Sequence, residues 1–367
     1  MRIVAKIGSS SLTDDMGVID RAIIADVCRQ IARLRSHGHE VVLVTSGAVA
    51  AGVSALGLSE RPSDMRTLQA LAAAGQSRLM EVYNSEFAGH SLVAAQVLLV
   101  PHDFIDRTQY LHARSTLERL LELGCVPVVN ENDAIANDEI RFGDNDHISA
   151  LLSHLLNADL LILLTDTEGL FTSDPRVDSS ATLITDVHES DPLMSVSAGA
   201  GGSNRGSGGM ASKLSAARIA SWSGIRAVIA RATIADVLEV VTAAAVSGST
   251  GVGTTFHGSD RALSARQLWV AFASEVRGAV IIDDGAAGAL LKGTVSLLPA
   301  GVVEVEGSFE PRETVDIRRT DGRVLARGLA MMSAAQARAA RGRRSSDLDD
   351  DSPTVVVHHD ELVLLPR

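Results

Sequence analysis

The sequence predicts an α/β protein in two parts. A mainly parallel sheet sandwiched by helices comes first, and a small β-rich domain follows. Three observations carry that prediction. Short apolar runs alternate with amphipathic stretches up to about residue 255, the βαβα pattern of a parallel sheet. Ser247 to Asp260 is rich in Gly, Ser and Thr, like a domain exit. Beyond about Gln267 the apolar runs shorten and Gly punctuates them, as in "GAVIID", "GALLKG", "TVSLLPAGVVEVEG", "TVDIRR", "RVLARGL" and "TVVVHH". The expected division is residues 1–256, a linker over 257–268, and a small domain over 269–367.

Strands are expected at Ile3–Ile7, Glu40–Thr45, Leu92–Leu99, Val126–Asn130, Leu160–Leu164 and Arg226–Ala230. Helices are expected near 19–36, 66–87, 108–123, 145–157, 211–223 and 234–245. Ile148, Leu151, Leu152, Leu155 and Leu156 share one helical face in the fourth of these. The 46% hydrophobic content of the 367 residues supplies a sizeable core, although aromatics make up only 3%. A net charge of −12 disfavours generic nucleic-acid binding. Two cysteines, Cys28 and Cys125, permit neither a disulfide framework nor a zinc-finger spacing. The first residues enter a strand pattern at once, so no signal peptide is expected, and no apolar run reaches the ~18 residues of a membrane span. A cytoplasmic protein with no membrane contact is the expectation.

The chain contains three lysines, Lys6, Lys213 and Lys292, among 33 basic residues. A chain so biased toward Arg keeps Lys where a compact point charge with rotating donors is needed. Lys6 precedes Gly8, Ser9, Ser10 and Ser11. Lys213 ends "GSGGMASK", which opens a predicted helix. "TSGAVAAG", with Ser46 and Gly47, follows the second strand and can open a short helix in the same way. A single Gly/Ser loop is a tight turn. Three at element ends, two with scarce lysines, point to phosphate held by backbone N–H groups at helix N-termini. None is a Walker P-loop or a dinucleotide fingerprint.

A second cluster begins where the fourth strand ends: Asn130, Glu131, Asn132 and Asp133, then Asp144, Asn145 and Asp146 at the next helix start. Helix capping uses one such residue, not seven. Amides and carboxylates at a strand's C-terminal end suit a small polar ligand. Thr165 and Asp166, after the fifth strand, either meet a nucleotide or form an Asx-type turn. The eleven histidines are scattered. His147 and His154 lack a third ligand at metal spacing, and His358–His359 reads as solvated.

The runs "AKIGSSSLT", "TSGAVAAG", "VPVVNENDAI", "FGDNDHISA", "LLTDTEGLFTSDPR" and "GSGGMASKLSAA", in this order, resemble the glutamate 5-kinase family of the amino acid kinase superfamily. "IDDGAAGALL", "SLLPAGVVEVEGSF" and "ARGLAMMSAAQ" resemble the PUA domain that many of its bacterial members carry. The resemblance implies ATP-dependent phosphorylation of the L-glutamate side-chain carboxylate, the first step of proline biosynthesis. It implies that Lys6 meets the transferring phosphoryl group, that Lys213 meets the β-phosphate, and that Asp146 holds both lysines. Ser46, Gly47, Asn130, Asp133, Asp144 and Asn145 would bind glutamate. Gly8, Ser9, Thr165, Asp166, Ser207, Gly208, Gly209, Met210, Ala211 and Ser212 would join the lysines around ATP. Mg²⁺ would arrive on the ATP phosphates, with no protein metal site. The resemblance further implies a homo-oligomer, proline as feedback inhibitor, and hand-over of glutamyl phosphate to a reductase. Ser207 and Ser212 stand where the family more often has Thr, and Phe171 where Tyr is common. Two alternatives stay open: a kinase of the same fold with another acceptor, and RNA binding through the PUA-like tail at Arg338, Arg341, Arg343 and Arg344. The adjacent aspartates weigh against the second.

Overall fold

The structure, a computed structural model, describes residues 1–13, 18–104, 106–135, 145–189, 191–194, 209–259, 263, 265–268, 270–271, 276–293, 295–344 and 353–365. The chain forms two compact units. One comprises Met1–His188 with Ala200–Ala262, the other Glu189–Gly199 with Leu263–Arg367.

The first unit is built on an eight-stranded sheet. Its strands are β1 (Arg2–Ile7), β2 (Glu40–Val44), β3 (Ala94–Leu99), β4 (Val126–Glu131), β5 (Leu160–Thr165), β6 (Asp186–Val187), β7 (Arg226–Arg231) and β8 (Thr254–Phe256). They run in the order β3-β4-β2-β1-β5-β7-β8-β6. All pair in parallel except β7 with β8. β4 and β5 are buried at every residue, so they read in sequence as unbroken runs rather than alternating ones.

The helices of this unit are α1 (Ser9–Leu12), α2 (Arg21–Ser36), α3 (Ala48–Ala55), α4 (Met65–Ala88), α5 (Arg107–Glu122), α6 (Asn145–Leu155), α7 (Met210–Trp222) and α8 (Val237–Ser247). Asp20, Asp64 and Asp106 cap α2, α4 and α5, each accepting a first-turn backbone N–H. Glycines, Gly47 and Gly209, precede α3 and α7, and neither start has a side-chain cap.

One expectation is corrected here. The Gly/Ser/Thr-rich stretch read as a domain exit contains β8, buried throughout. The Thr254 hydroxyl accepts from Leu170 N–H at 2.8 Å and donates to the Ile184 carbonyl at 2.6 Å. A β-branched residue with a satisfied hydroxyl fits a buried strand although its neighbours look like loop.

The second unit holds a five-stranded sheet ordered β10-β9-β11-β12-β13. These are β9 (Val276–Ile282), β10 (Val302–Gly307), β11 (Thr314–Arg319), β12 (Val324–Ala330) and β13 (Val357–Leu364), joined by α9 (Ala265–Leu268), α10 (Asp284–Leu291) and α11 (Ala334–Ala340). Its core is separate, centred on Val280, Phe309, Val315, Ile317 and Val357. "GALLKG", read above with the β runs, lies on α10, where Asp283 accepts from Ala286 N–H at 2.7 Å and Ala287 and Leu290 turn inward. Among the described residues, no helix is long and apolar enough to cross a membrane.

Candidate active site

The register of the central strands sets the site's floor. Lys6 lies level with Val44 on one side and Leu163 on the other, and Val44 with Val129. Lys6, Ser46, Asn130 and Thr165 sit at this level or just beyond it, at the C-terminal edge of the parallel strands. Ligands bind at that edge in open α/β sheets.

Lys6 and Lys213 come from β1 and the first turn of α7, and each is 3% exposed. Both meet one carboxylate, that of Asp146 in the first turn of α6. Lys6 Nζ lies 2.5 Å from Asp146 Oδ1 and Lys213 Nζ 3.3 Å from Oδ2. The Ser212 hydroxyl donates to Oδ2 at 3.0 Å. Burial pushes the Asp146 carboxyl up, but the two ammonium groups and the hydroxyl outweigh it and hold its pKa below the ordinary range. Asp146 thus holds the two ammonium groups beside each other. Gly8 leaves room beside it: a Cβ there would stand 3.2 Å from Lys6 Nζ. The first-turn N–H groups of Met210 and Ala211 have no acceptor within α7, and Gly209 before them supplies no side-chain cap. His147 Nε2, bonded to Ser215 Oγ at 2.8 Å, ties α6 to α7.

The amide cluster forms a head-to-tail chain. Asn145 Nδ2 donates to Ser46 Oγ at 3.1 Å and to Asn130 Oδ1 at 2.9 Å. Asn130 Nδ2 donates to Gln76 Oε1 at 2.8 Å, and Gln76 Nε2 to Gln96 Oε1 at 3.2 Å. Glu131 N–H donates to both Asn130 Oδ1 and Asn145 Oδ1 at 3.0 Å, which fixes the direction of both amides. The sequence reading missed Gln76 and Gln96. The one available signal was a polar residue, Gln76, on an α4 face otherwise made of Leu68, Leu71, Ala72, Gly75 and Leu79.

Gly47 stands at φ 102°, a left-handed conformation that glycine adopts without strain, and it starts α3. That helix lies directly against α4. A Cβ on Gly52 would overlap the Leu71 carbonyl, and one on Gly75 the Ala48 carbonyl. This close approach fixes Ser46 and Gly47 against the strand ends, as does the bond between Thr45 Oγ1 and the buried Tyr83 hydroxyl at 2.7 Å.

Asp133 follows β4 and is 9% exposed. Burial pushes its carboxyl up to about 6, against the pull of Arg61. Thr165 is buried at the end of β5, and its hydroxyl donates to the exposed Asp166 at 3.0 Å. Ser9 opens α1 beyond Gly8. Asp144, Ser207 and Gly208 lie outside the described residues.

A buried carboxylate between two lysines, facing uncapped helix starts at a sheet's C-terminal edge, defines a phosphate-handling α/β enzyme. Residues 1–231 match the Amino acid kinase family, and residues 278–350 match the PUA domain. A protein of Nitrosomonas eutropha named Glutamate 5-kinase is 45% identical, over 99% of this chain and 97% of its own length. Another of that name from Ralstonia nicotianae is also 45% identical, over the same shares. One from Caldanaerobacter subterraneus is 42% identical, over all of this chain and 98% of its own. The chain belongs to the amino acid kinase family and, within it, to the glutamate 5-kinases.

Proposed function

We propose that this protein transfers the γ-phosphoryl group of ATP to the side-chain carboxylate of L-glutamate, giving ADP and L-glutamyl 5-phosphate. The observation that carries this reading is the pair of buried lysines on Asp146, set beside an amide cluster in a chain whose full-length relatives are named for that reaction. A glutamate carboxylate oxygen attacks the γ-phosphorus in line, and the bond to the β–γ bridging oxygen breaks. The acceptor is already ionised near neutral pH, so the step needs no general base. What the protein must do is align two anions and offset their repulsion.

Lys6 meets the transferring phosphoryl group and Lys213 the β-phosphate, while Asp146 positions both. Gly8, Ser9 and residues Ser207 to Ser212 surround the phosphates, and Thr165 and Asp166 line the nucleotide site. Ser46, Gly47, Asn130, Asp144 and Asn145 hold glutamate, and Asp133 takes its ammonium group. Asp146 is occupied by two lysines, so the donor set here suits phosphate oxygens rather than a directly bound metal. Mg²⁺ would be carried by the nucleotide and would supply further charge neutralisation. The same reading extends to a cytoplasmic homo-oligomer early in proline synthesis, inhibited by proline and delivering an unstable acyl phosphate to a reductase.

The test is ATP-dependent hydroxamate formation with glutamate, aspartate, N-acetylglutamate and carbamate. Signal with glutamate alone is expected, and signal with a different acid rejects the acceptor. Lys6→Ala and Lys213→Ala should each lower kcat by roughly 100-fold or more, the loss typical of one transition-state donor. Near-normal turnover in either variant contradicts the two-lysine arrangement.

A further inference from the structure

The edge of the first sheet gathers three side chains that the kinase reading does not use. Asp186 and His188 are two residues apart along β6 and its end, so they project to one face. β6 pairs in parallel with β8, Asp186 with Thr255 and Val187 with Phe256. The next step of that register brings His257 beside His188, and His257 N–H donates to the Val187 carbonyl at 3.0 Å. His257 Nε2 lies 2.9 Å from Asp186 Oδ1, and the two imidazoles stack at 4.2 Å between centroids, 5° from parallel. One ligand atom from each of the three residues falls within 4.8 Å of the others. His257 and Asp186 are partly exposed and His188 is exposed, leaving the group open to solvent.

We propose that Asp186, His188 and His257 form a binding site for Zn²⁺ that joins β6 to β8. Two imidazoles and a carboxylate are a zinc donor set and differ from the all-oxygen shell that Mg²⁺ prefers. A tetrahedral ion with bonds of about 2.0 Å needs ligand atoms roughly 3.3 Å apart. Rotation of three side chains at an open strand end supplies that contraction, and water completes the shell. β6 is two residues long, so a metal bridge would hold a strand that has little ladder of its own. Asp186 and His257 lie 71 positions apart in the chain, so spacing in the sequence gives no hint of the site.

Chelator-treated full-length protein should be titrated with Zn²⁺ at pH 7.5 without nucleotide, by calorimetry and by thermal unfolding. One equivalent should bind and raise Tm by about 5 °C at a hundredfold excess over Kd. His188→Gln, at an exposed position that tolerates change, and Asp186→Asn should each weaken binding at least tenfold and abolish the shift. A variant carrying His358→Gln and His359→Gln controls for the other histidine pair, which stands beside Asp360, and should bind as the parent does. The proposal is overturned if the parent binds no Zn²⁺, if His188→Gln and Asp186→Asn bind normally, or if only the His358/His359 variant loses binding.

Discussion

In the proposed reaction, Asn145 and Asp133 are two of the side chains assigned to glutamate recognition. Asn145 reaches Ser46, Asn130 and the Glu131 N–H at once, so its amide has a fixed orientation before glutamate arrives. Asn145→Ala should raise KM for glutamate roughly 10- to 100-fold, the range of a hydrogen bond to a charged group. KM for ATP should stay within about twofold. Steady-state kinetics in both substrates checks this, and an effect confined to ATP contradicts the assignment. Asp133 adds a pH dependence. Its folded pKa, about 6, stands above the 3.8 of an ordinary Asp. Between those values the folded chain holds more protons than the unfolded one, so the stability from this group falls as pH rises and is fully lost above 6. Asp133→Asn should therefore stabilise the protein at pH 7.5 by up to roughly 3 kcal/mol, with little change at pH 4, while weakening glutamate binding. Urea unfolding at the two pH values, beside kinetics, tests both halves. The residue types were legible in the sequence because seven amides and carboxylates exceed what capping uses. Gln76 and Gln96 were not, since they join the cluster only through the packing of α4 and β3.

At the scale of elements, the helix starts divide by chemistry. α2, α4 and α5 begin with an Asp side chain that closes the first turn. α3 and α7 begin with glycine and lie at the site, where a capping carboxylate would compete with an anionic ligand. That contrast is readable in sequence as Asp before amphipathic stretches and Gly before Ala-rich ones. The crossing of α3 and α4 was not readable, because "AAAGQSR" shows no sign of how closely another backbone will approach. Gly75→Ala would drive a methyl group into the Ala48 carbonyl. Backbone yields less than a side chain, so the cost should sit at the upper end of about 1–3 kcal/mol. Thermal unfolding should show a lower Tm, and KM for glutamate should rise because Ser46 and Gly47 are carried by the displaced helix. Normal KM with reduced Tm would separate the crossing from glutamate binding. β8 shows the complementary failure: composition made the segment look like a domain exit, while β-branching and hydroxyl bonding made it a strand.

Across the whole molecule, each unit closes its own sheet around its own apolar cluster. In the second unit, Arg338 of the basic cluster donates from Nε to the Val305 carbonyl and from Nη2 to the Gly307 carbonyl, at 3.3 and 2.5 Å. This arginine is spent on holding α11 to β10, which fits a structural tail better than an RNA-binding one. The first unit also keeps part of the expected linker. The Ser221 hydroxyl donates to the His257 carbonyl at 2.6 Å, and Ser259 N–H donates to the Ser221 carbonyl at 2.7 Å. A chain cut after Phe256 loses both bonds at the end of α7, the helix that begins with Met210 and carries Lys213. A chain ending at Ala262 keeps them. The longer truncation should fold, by circular dichroism and a cooperative melt, and form hydroxamate from glutamate at a measurable fraction of the full-length rate. The cut at Phe256 should melt lower, by more than those two hydrogen bonds of about 1 kcal/mol each, because the His257 contacts with Val187 and Asp186 go as well. If the Ala262 chain folds but shows no turnover, Leu263–Arg367 is needed for activity, and phosphoryl transfer is a property of the full chain.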